Sequence, residues 1–345
     1  MSKEFDVPVV LFTFKRKQTL LKIIDVLAEV KPSVLYLMSD AGRDEEEKAI
    51  VNDVRESAEN AITWECNVIR DYASINRGVY QNIGLGAKRV FEKEERAIFL
   101  EDDNLPNPTF FPYCRELLIR YKDEPSILWI CGTNYLGKYN PPDESSYLFT
   151  RHQLPCGWAS WADKFLKYYD GDLDYFDDAH KEIFKSTYRS KALYKQQLRS
   201  ITNEYSRKLR GERFVSWDSQ MNFSVRSNEL WGISPKYNLI RNIGADDFST
   251  HGGSSLEMVM TKRFCEIPTY DLHFPLLHPE DVKECSEFER KTGDIILLPL
   301  RLRLKGWANR AIKKALKIEE SKSLSGELAK KLKSSHLLRG KDEVS

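Results

Sequence analysis

At 345 residues the chain is long enough for one large domain plus an appendage, since a single hydrophobic core stops growing at roughly 250–300 residues. Hydrophobic residues make up 41% and charged residues 30% of it, which excludes a disordered or fibrous polypeptide. A formal net charge of +1 provides no overall field for nucleic acid, so nucleic acid is not an expected partner and any electrostatic specialisation must be local.

The first apolar run, Val7 to Phe14, is rich in β-branched and aromatic residues and precedes an apolar pattern at Leu20, Leu21, Ile24 and Leu27. It predicts a buried strand followed by an amphipathic helix. Val34 to Met38 predicts a second strand ending at Ser39-Asp40, and Glu45 to Ala58 a second helix with a charged outer face. Thr63 to Ile69 reads as a third strand, Gly78 to Phe91 as a helix, and Ala97 to Leu100 as a fourth strand. Alternation of strands and helices at this spacing predicts an α/β fold with a mostly parallel sheet covered by helices. Ligands of such sheets bind outside the carboxyl ends of the strands, where Thr13, Asp40 and the triplet Glu101-Asp102-Asp103 collect.

Beyond about residue 125 the periodicity gives way to Gly-, Pro- and aromatic-rich segments, including Pro155-Cys156-Gly157-Trp158-Ala159-Ser160-Trp161. These read as loops shaping a second half of a site. A charged, helical stretch over 179–210 then precedes the strand-like Arg213 to Asp218.

Three consecutive carboxylates after a buried strand repel one another unless a cation or hydrogen bonds compensate. A hard divalent ion, bound through one or two carboxylates and completed by diphosphate oxygens, meets that need. At this point the chain resembles the GT-A glycosyltransferases, in particular the large inverting family two and the N-acetylglucosaminyltransferase I group, whose DxD-type motif can read EDD. The resemblance covers about residues 7–255 and lies in the order of several motifs.

Several roles follow from the resemblance alone. It implies a GT-A, Rossmann-like fold and transfer of a sugar from a nucleotide-diphosphate donor, UDP above others, to a hydroxyl of a glycan or lipid-linked glycan. Thr13, Lys15 or Arg16, and Asp40 become nucleotide contacts. Asn76-Arg77-Gly78 with Asn82 and Gly84 is similar to the family segment before the DxD motif, with Gln81-Asn82 in the usual Arg-Asn place. Glu101 and Asp102 lie near ribose and diphosphate, and Asp103 holds Mn²⁺ or Mg²⁺. Asp218, in Val215-Ser216-Trp217-Asp218-Ser219-Gln220, takes the catalytic base's place, which an ordinary helix cap could also fill. His251, closing Asn242 to His251, becomes a second metal ligand that favours manganese. Gly157, Trp158 and Trp161 resemble the aromatic loop that lines the sugars; core packing is the competing role for both tryptophans and for Trp217.

A sugar nucleotidyltransferase shares the nucleotide-binding plan, but its Gly-rich loop after the first strand is replaced here by Thr13-Phe14-Lys15-Arg16-Lys17. A catalytically silent, glycan-binding component of an assembly complex is the other alternative. The catalytic domain is expected over 1–270 and an extension over 271–345. Within the latter, 297–317 is basic, acid-free and amphipathic, suited to an anionic membrane surface, to the catalytic domain or to a partner subunit. The scattered cysteines Cys66, Cys114, Cys131, Cys156, Cys265 and Cys285 form no zinc pattern and read as reduced thiols. With no apolar signal core in the opening residues and no stretch of roughly 20 apolar residues, the expected location is cytoplasmic, peripheral on the membrane if the tail binds there.

Overall fold

A computed structural model describes residues 5–245, 259–318 and 326–327. In chain order its first half contains β1 (Val9–Thr13), α1 (Lys17–Val30), β2 (Val34–Ser39), α2 (Glu45–Ala61), β3 (Asn67–Tyr72), a π-helical turn (Tyr80–Gly84) leading into α3 (Leu85–Phe91), β4 (Arg96–Glu101), β5 (Asn104–Pro106), α4 (Phe110–Arg120) and β6 (Ile127–Cys131). There follow β7 (Tyr147–Thr150), β8 (Trp158–Trp161), α5 (Ala162–Tyr168), α6 (Asp178–Ser186), α7 (Lys191–Leu209), α8 (Asp218–Ser227), β9 (Trp231–Pro235), β10 (Ile240–Asn242), α9 (Val259–Phe264), α10 (Ser286–Ile296) and α11 (Leu300–Ala315).

The expected α/β class is observed. Eight strands form one sheet in the order β3-β2-β1-β4-β8-β6-β9-β7, and β10 pairs with β5 in a separate ribbon. In the large sheet β1 to β4, β6 and β9 run one way and only β7 and β8 oppose them, so the sheet is mostly parallel. Every residue of β1 and β6 is buried, as expected for strands covered on both faces. In α1 the buried Leu20, Ile23, Ile24 and Leu27 recur at helical spacing and pack on the sheet's core. Asp44 caps α2 by accepting from the Glu47 amide at 2.9 Å, and Glu45, Glu46 and Glu47 complement the positive end of that helix.

Three expected elements are placed differently. The third strand begins at Asn67 and runs to Tyr72. Trp158 to Trp161 is a central strand, β8, because both faces of its side chains meet the core. Arg213 to Trp217 pairs with no strand and leads directly into α8, whose first turn is capped when Ser216 Oγ accepts from the Ser219 amide at 3.0 Å.

By contacts the chain divides into residues 1–295 and 296–345. Residues 271–295, grouped with the extension by sequence, therefore belong to the first unit: Glu289 of α10 accepts hydrogen bonds from Thr150, Arg151 and Arg226 there. In the second unit α11 buries none of its residues, and Leu300, Leu304 and Trp307 are 62%, 57% and 66% exposed. Among the described residues no helix is long and apolar enough to cross a membrane.

Candidate active site

Parallel pairing sets Thr13 beside Ser39 and Phe12 beside Glu101, so the residues just past β1, β2 and β4 emerge at one sheet edge. Asp40 anchors the second of these points. Its Oδ1 accepts from the amides of Ala41 (2.8 Å) and Arg77 (2.7 Å), and its Oδ2 from the Gly78 amide (2.8 Å) and Asn76 Nδ2 (3.2 Å). Asp40, Asn76 and Arg77 are thus brought together, but the carboxylate is engaged in shaping the loop. Gly78, at φ +79°, lets that loop turn where a Cβ would be strained. The Arg77 side chain turns away to Asp71, at 2.8 Å. Lys15 turns likewise to the buried Glu47, at 2.7 Å.

The acidic triplet is compensated from β1's extension. The Phe14 amide donates to Asp102 Oδ2 at 2.9 Å, while Arg16 Nη1 reaches Asp102 Oδ1 at 3.3 Å and Asp103 Oδ2 at 3.2 Å. Burial raises the Glu101 carboxyl well above the usual range, reinforced by the charges of Asp103, Asp102 and Asp218 and opposed by Arg16. Burial also lifts Asp102 to about 6 against the pull of Arg16. Several hard oxygen donors thus lie close together, with Arg16 set against two of the carboxylates.

Such a corner fits a divalent cation. Among the described residues no three His, Cys, Asp or Glu side chains close into a complete cage. An ion there would be held by one or two carboxylates and completed by phosphate oxygens. His251 lies outside the described residues.

Asp218 opens α8, and Trp217 just before it stacks on Trp158, which in turn stacks on Phe99, two residues before Glu101. Asp218 Oδ1 accepts from Ser216 Oγ at 2.5 Å and the Ser219 amide at 3.0 Å. Its Oδ2 has no protein partner among the hydrogen bonds of the described residues, and the residue is partly exposed. Helix capping and an available basic oxygen thus coexist.

The tryptophans require a correction. Trp158 is 1% exposed and lies between Phe99 (centroids 4.0 Å apart, 12° between planes) and Trp129 (4.3 Å, 19°), so neither ring face is open to a sugar. Trp161 is buried with its indole N–H donating to Leu118 O at 2.8 Å, and buried Trp217 packs on Trp129 and Trp158. Gly157 remains at the site by its backbone: its amide donates to Asn104 Oδ1 at 2.9 Å, and its φ of +62° and the side chain of Ile240 leave no room for a Cβ.

Sequence reasoning missed the groups that join the two sides of the corner. Asn104 bridges Asp103 and Gly157, at 2.5 Å from its Nδ2 to Asp103 Oδ1. Across the ribbon Asn242 pairs with Asn104, and its Oδ1 accepts from Cys265 Sγ at 3.2 Å. Asn104 directly follows the triplet and could have been noticed; Asn242 opens the segment read for His251 but drew no role of its own, and nothing local marks Cys265, which reaches Asn242 through the fold.

No family model matches the chain, and no curated protein matches it significantly. Among solved structures it is similar to glucosyl-3-phosphoglycerate synthase from Mycobacterium tuberculosis, in complex with Mn²⁺, uridine diphosphate and glucosyl-3-phosphoglycerate, at 15% identity and a TM-score of 0.29. That match covers 46% of this chain and 57% of the other. A UDP-glucose pyrophosphorylase complexed with UDP-glucose gives 10% identity and a TM-score of 0.35, over 69% of this chain and 94% of the other. The 4-diphosphocytidyl-2C-methyl-D-erythritol synthase from Anaerococcus prevotii gives 11% and 0.29, over 48% and 77%. The chain thus spans just over half the length of the synthase, and likeness at this level carries no functional weight.

Proposed function

We propose that the chain is an inverting, metal-dependent glycosyltransferase that moves a sugar from a nucleotide-diphosphate donor, preferably UDP-linked, to a hydroxyl of a glycan or lipid-linked glycan. The observation that carries this reading is the acidic triplet at the sheet edge together with the half-free Asp218 carboxylate, which opens the helix joined to the triplet's strand through the Trp217–Trp158–Phe99 stack. Thr13, Arg16, Asp40 and Asn76 are assigned to the donor's nucleotide side, with Glu101 and Asp102 toward ribose and diphosphate, while Lys15 and Arg77, turned to Glu47 and Asp71, are not assigned a donor contact. Asp103, joined by His251, would hold Mn²⁺ or Mg²⁺. When bound, that ion neutralises charge on the departing diphosphate as a Lewis acid.

The remaining roles belong to the chain itself. Arg16 carries a guanidinium able to pair with phosphate as it now pairs with carboxylate. Asp40 keeps the Asn76-Arg77-Gly78 loop in place against it. Asp218 Oδ2 accepts the proton of the attacking hydroxyl, while Ser216 and the Ser219 amide hold Oδ1 and fix the carboxylate's orientation.

The test is calorimetric. Asp103→Ala is expected to lose the Mn²⁺-dependent part of UDP binding, leaving at most the weak, metal-independent part. An unchanged titration in Mn²⁺ would remove the acidic corner from the donor site.

We also propose that α11 lies on an anionic membrane surface. Its exposed Leu300, Leu304 and Trp307 accompany Arg301, Arg303, Lys305, Arg310, Lys313 and Lys314, with no acid between residues 295 and 318. Each basic residue near such a surface contributes about 1 kcal/mol. Full-length protein is expected to float with phosphatidylglycerol vesicles and not with phosphatidylcholine vesicles, and a chain ending at Gly293 with neither. Equal flotation of both lengths would exclude the helix as the anchor.

A further inference from the structure

Residues 213–217 run between α7 and α8 without a strand partner, so their amides must find acceptors elsewhere. Two of them meet one carboxylate. Glu204 Oε2, on α7, accepts from the Val215 amide at 2.9 Å and the Ser216 amide at 3.3 Å. Glu204 is only 4% exposed, and its other oxygen lies 3.6 Å from Arg207 Nε. A carboxylate is costly to bury unless hydrogen bonds compensate, so the acid and the two amides hold one another in place.

From Ser216 the hold passes to the proposed base. Ser216 Oγ donates to Asp218 Oδ1 at 2.5 Å and accepts from the Ser219 amide at 3.0 Å. Ser200, four residues before Glu204 and on the same face of α7, places its Oγ 2.8 Å from Ser219 Oγ. The long helix therefore grips the start of α8 on both sides of Asp218, at Ser216 and at Ser219. The segment's other end is tied to the loop that Asp40 shapes: Arg213 Nη1 donates to Asn76 O at 3.1 Å, and Phe214 packs on Tyr80 with ring centroids 4.8 Å apart.

We propose that Glu204 is a positioning residue for Asp218. With Oδ1 committed to Ser216, the direction in which Oδ2 faces is set by the main chain at 215–216, and that main chain is set by Glu204. This rests on the transferase reading given above and adds to it a residue that touches no substrate. Without the acid both amides lose their acceptor and the segment can shift, and a misplacement of about 1 Å can lower a rate by about 10²-fold.

The experiment uses the full chain with ¹³C-labelled aspartate carboxyls, and follows UDP release from UDP-glucose and UDP-N-acetylglucosamine in Mn²⁺ with water as acceptor. The Asp218 and Asp71 resonances are each identified by their absence from the matching asparagine variant. In Glu204→Ala the Asp218 resonance should move, while that of Asp71, paired with Arg77 and Arg89, should stay. In Glu204→Gln, whose amide oxygen can still accept from both main-chain amides, the Asp218 resonance should return. Glu204→Ala should lower kcat by about 10²-fold with KM for the donor unchanged, and Glu204→Gln should recover most of the rate. An unmoved Asp218 resonance in Glu204→Ala, movement of Asp71 as well, or no recovery in Glu204→Gln would each overturn the proposal; the last two would assign Glu204 to general stability. If the resonances behave as expected but no protein, the unaltered one included, releases UDP, Glu204 still positions Asp218 and the transferase reading falls. If the unaltered protein releases UDP and Glu204→Ala does so equally fast, the transferase reading stands and the proposal falls.

Discussion

Asp218→Asn is expected to reduce UDP release from a matching UDP-sugar and acceptor by about 10²–10⁴-fold, the usual contribution of a positioned general base. Asparagine has the same shape and its amide oxygen can still accept from Ser216 and the Ser219 amide, so the start of α8 should persist. UDP binding, measured by calorimetry in Mn²⁺, should stay near that of the unaltered protein. The loss should appear in the chemical step under single-turnover conditions. Full turnover by the variant would leave Asp218 as a helix-capping residue and nothing more.

Glu289→Leu should produce the largest loss of stability. Glu289 is buried and bonded on both oxygens: Oε1 accepts from Arg226 Nη2 at 3.0 Å, and Oε2 from Thr150 Oγ1 at 2.6 Å and the Arg151 amide at 3.1 Å. Its main-chain carbonyl lies 2.8 Å from His152 Nε2. Burial opposes ionisation of this carboxyl, yet His152, Arg226 and the bonds from Thr150 and Arg151 prevail and bring it down to about 2. A carboxyl depressed from 4.5 contributes stability that is complete above that pH and lost as pH falls toward 2. Its removal leaves the guanidinium of Arg226, 1% exposed, without its counter-charge, at a cost of about 3–5 kcal/mol. Adding Arg226→Met should recover part of this, since two apolar groups replace a pair instead of orphaning one charge. Urea unfolding of both variants checks the point; a double variant no more stable than the single would assign the loss to packing.

The start of the fold was legible because β1 and β2 are short apolar runs each followed by a helix with its own period, as in Val9–Thr13 and Leu20 to Leu27, whereas β3 is polar and only partly buried. The second half was not. Strands β6 to β9 are two-face buried or short, so they carry no alternation, and β8 was hidden inside a Gly- and Trp-rich segment that composition marks as a loop. The acidic triplet and Asp218 could be picked out since carboxylates at a strand end and a helix start are visible in the chain. The tryptophans were ambiguous, because an indole suits a sugar face and a core equally and only its neighbours decide. Asn242 and Cys265 acquire meaning only when the β10–β5 ribbon sets Asn242 opposite Asn104, the residue after Asp103.

The ring stack has a mechanical consequence. Phe99 lies two residues before Glu101, and Trp217 immediately precedes Asp218; Trp158 touches both rings, at 4.0 Å and 5.7 Å between centroids. These aromatic plates act as a spacer, setting the gap between the strand end that carries Glu101 and the helix that carries Asp218 to the thickness of packed rings. The separation of Glu101 from Asp218 is therefore gauged by the hydrophobic interior itself, and thinning any plate would shift both carboxylates at once.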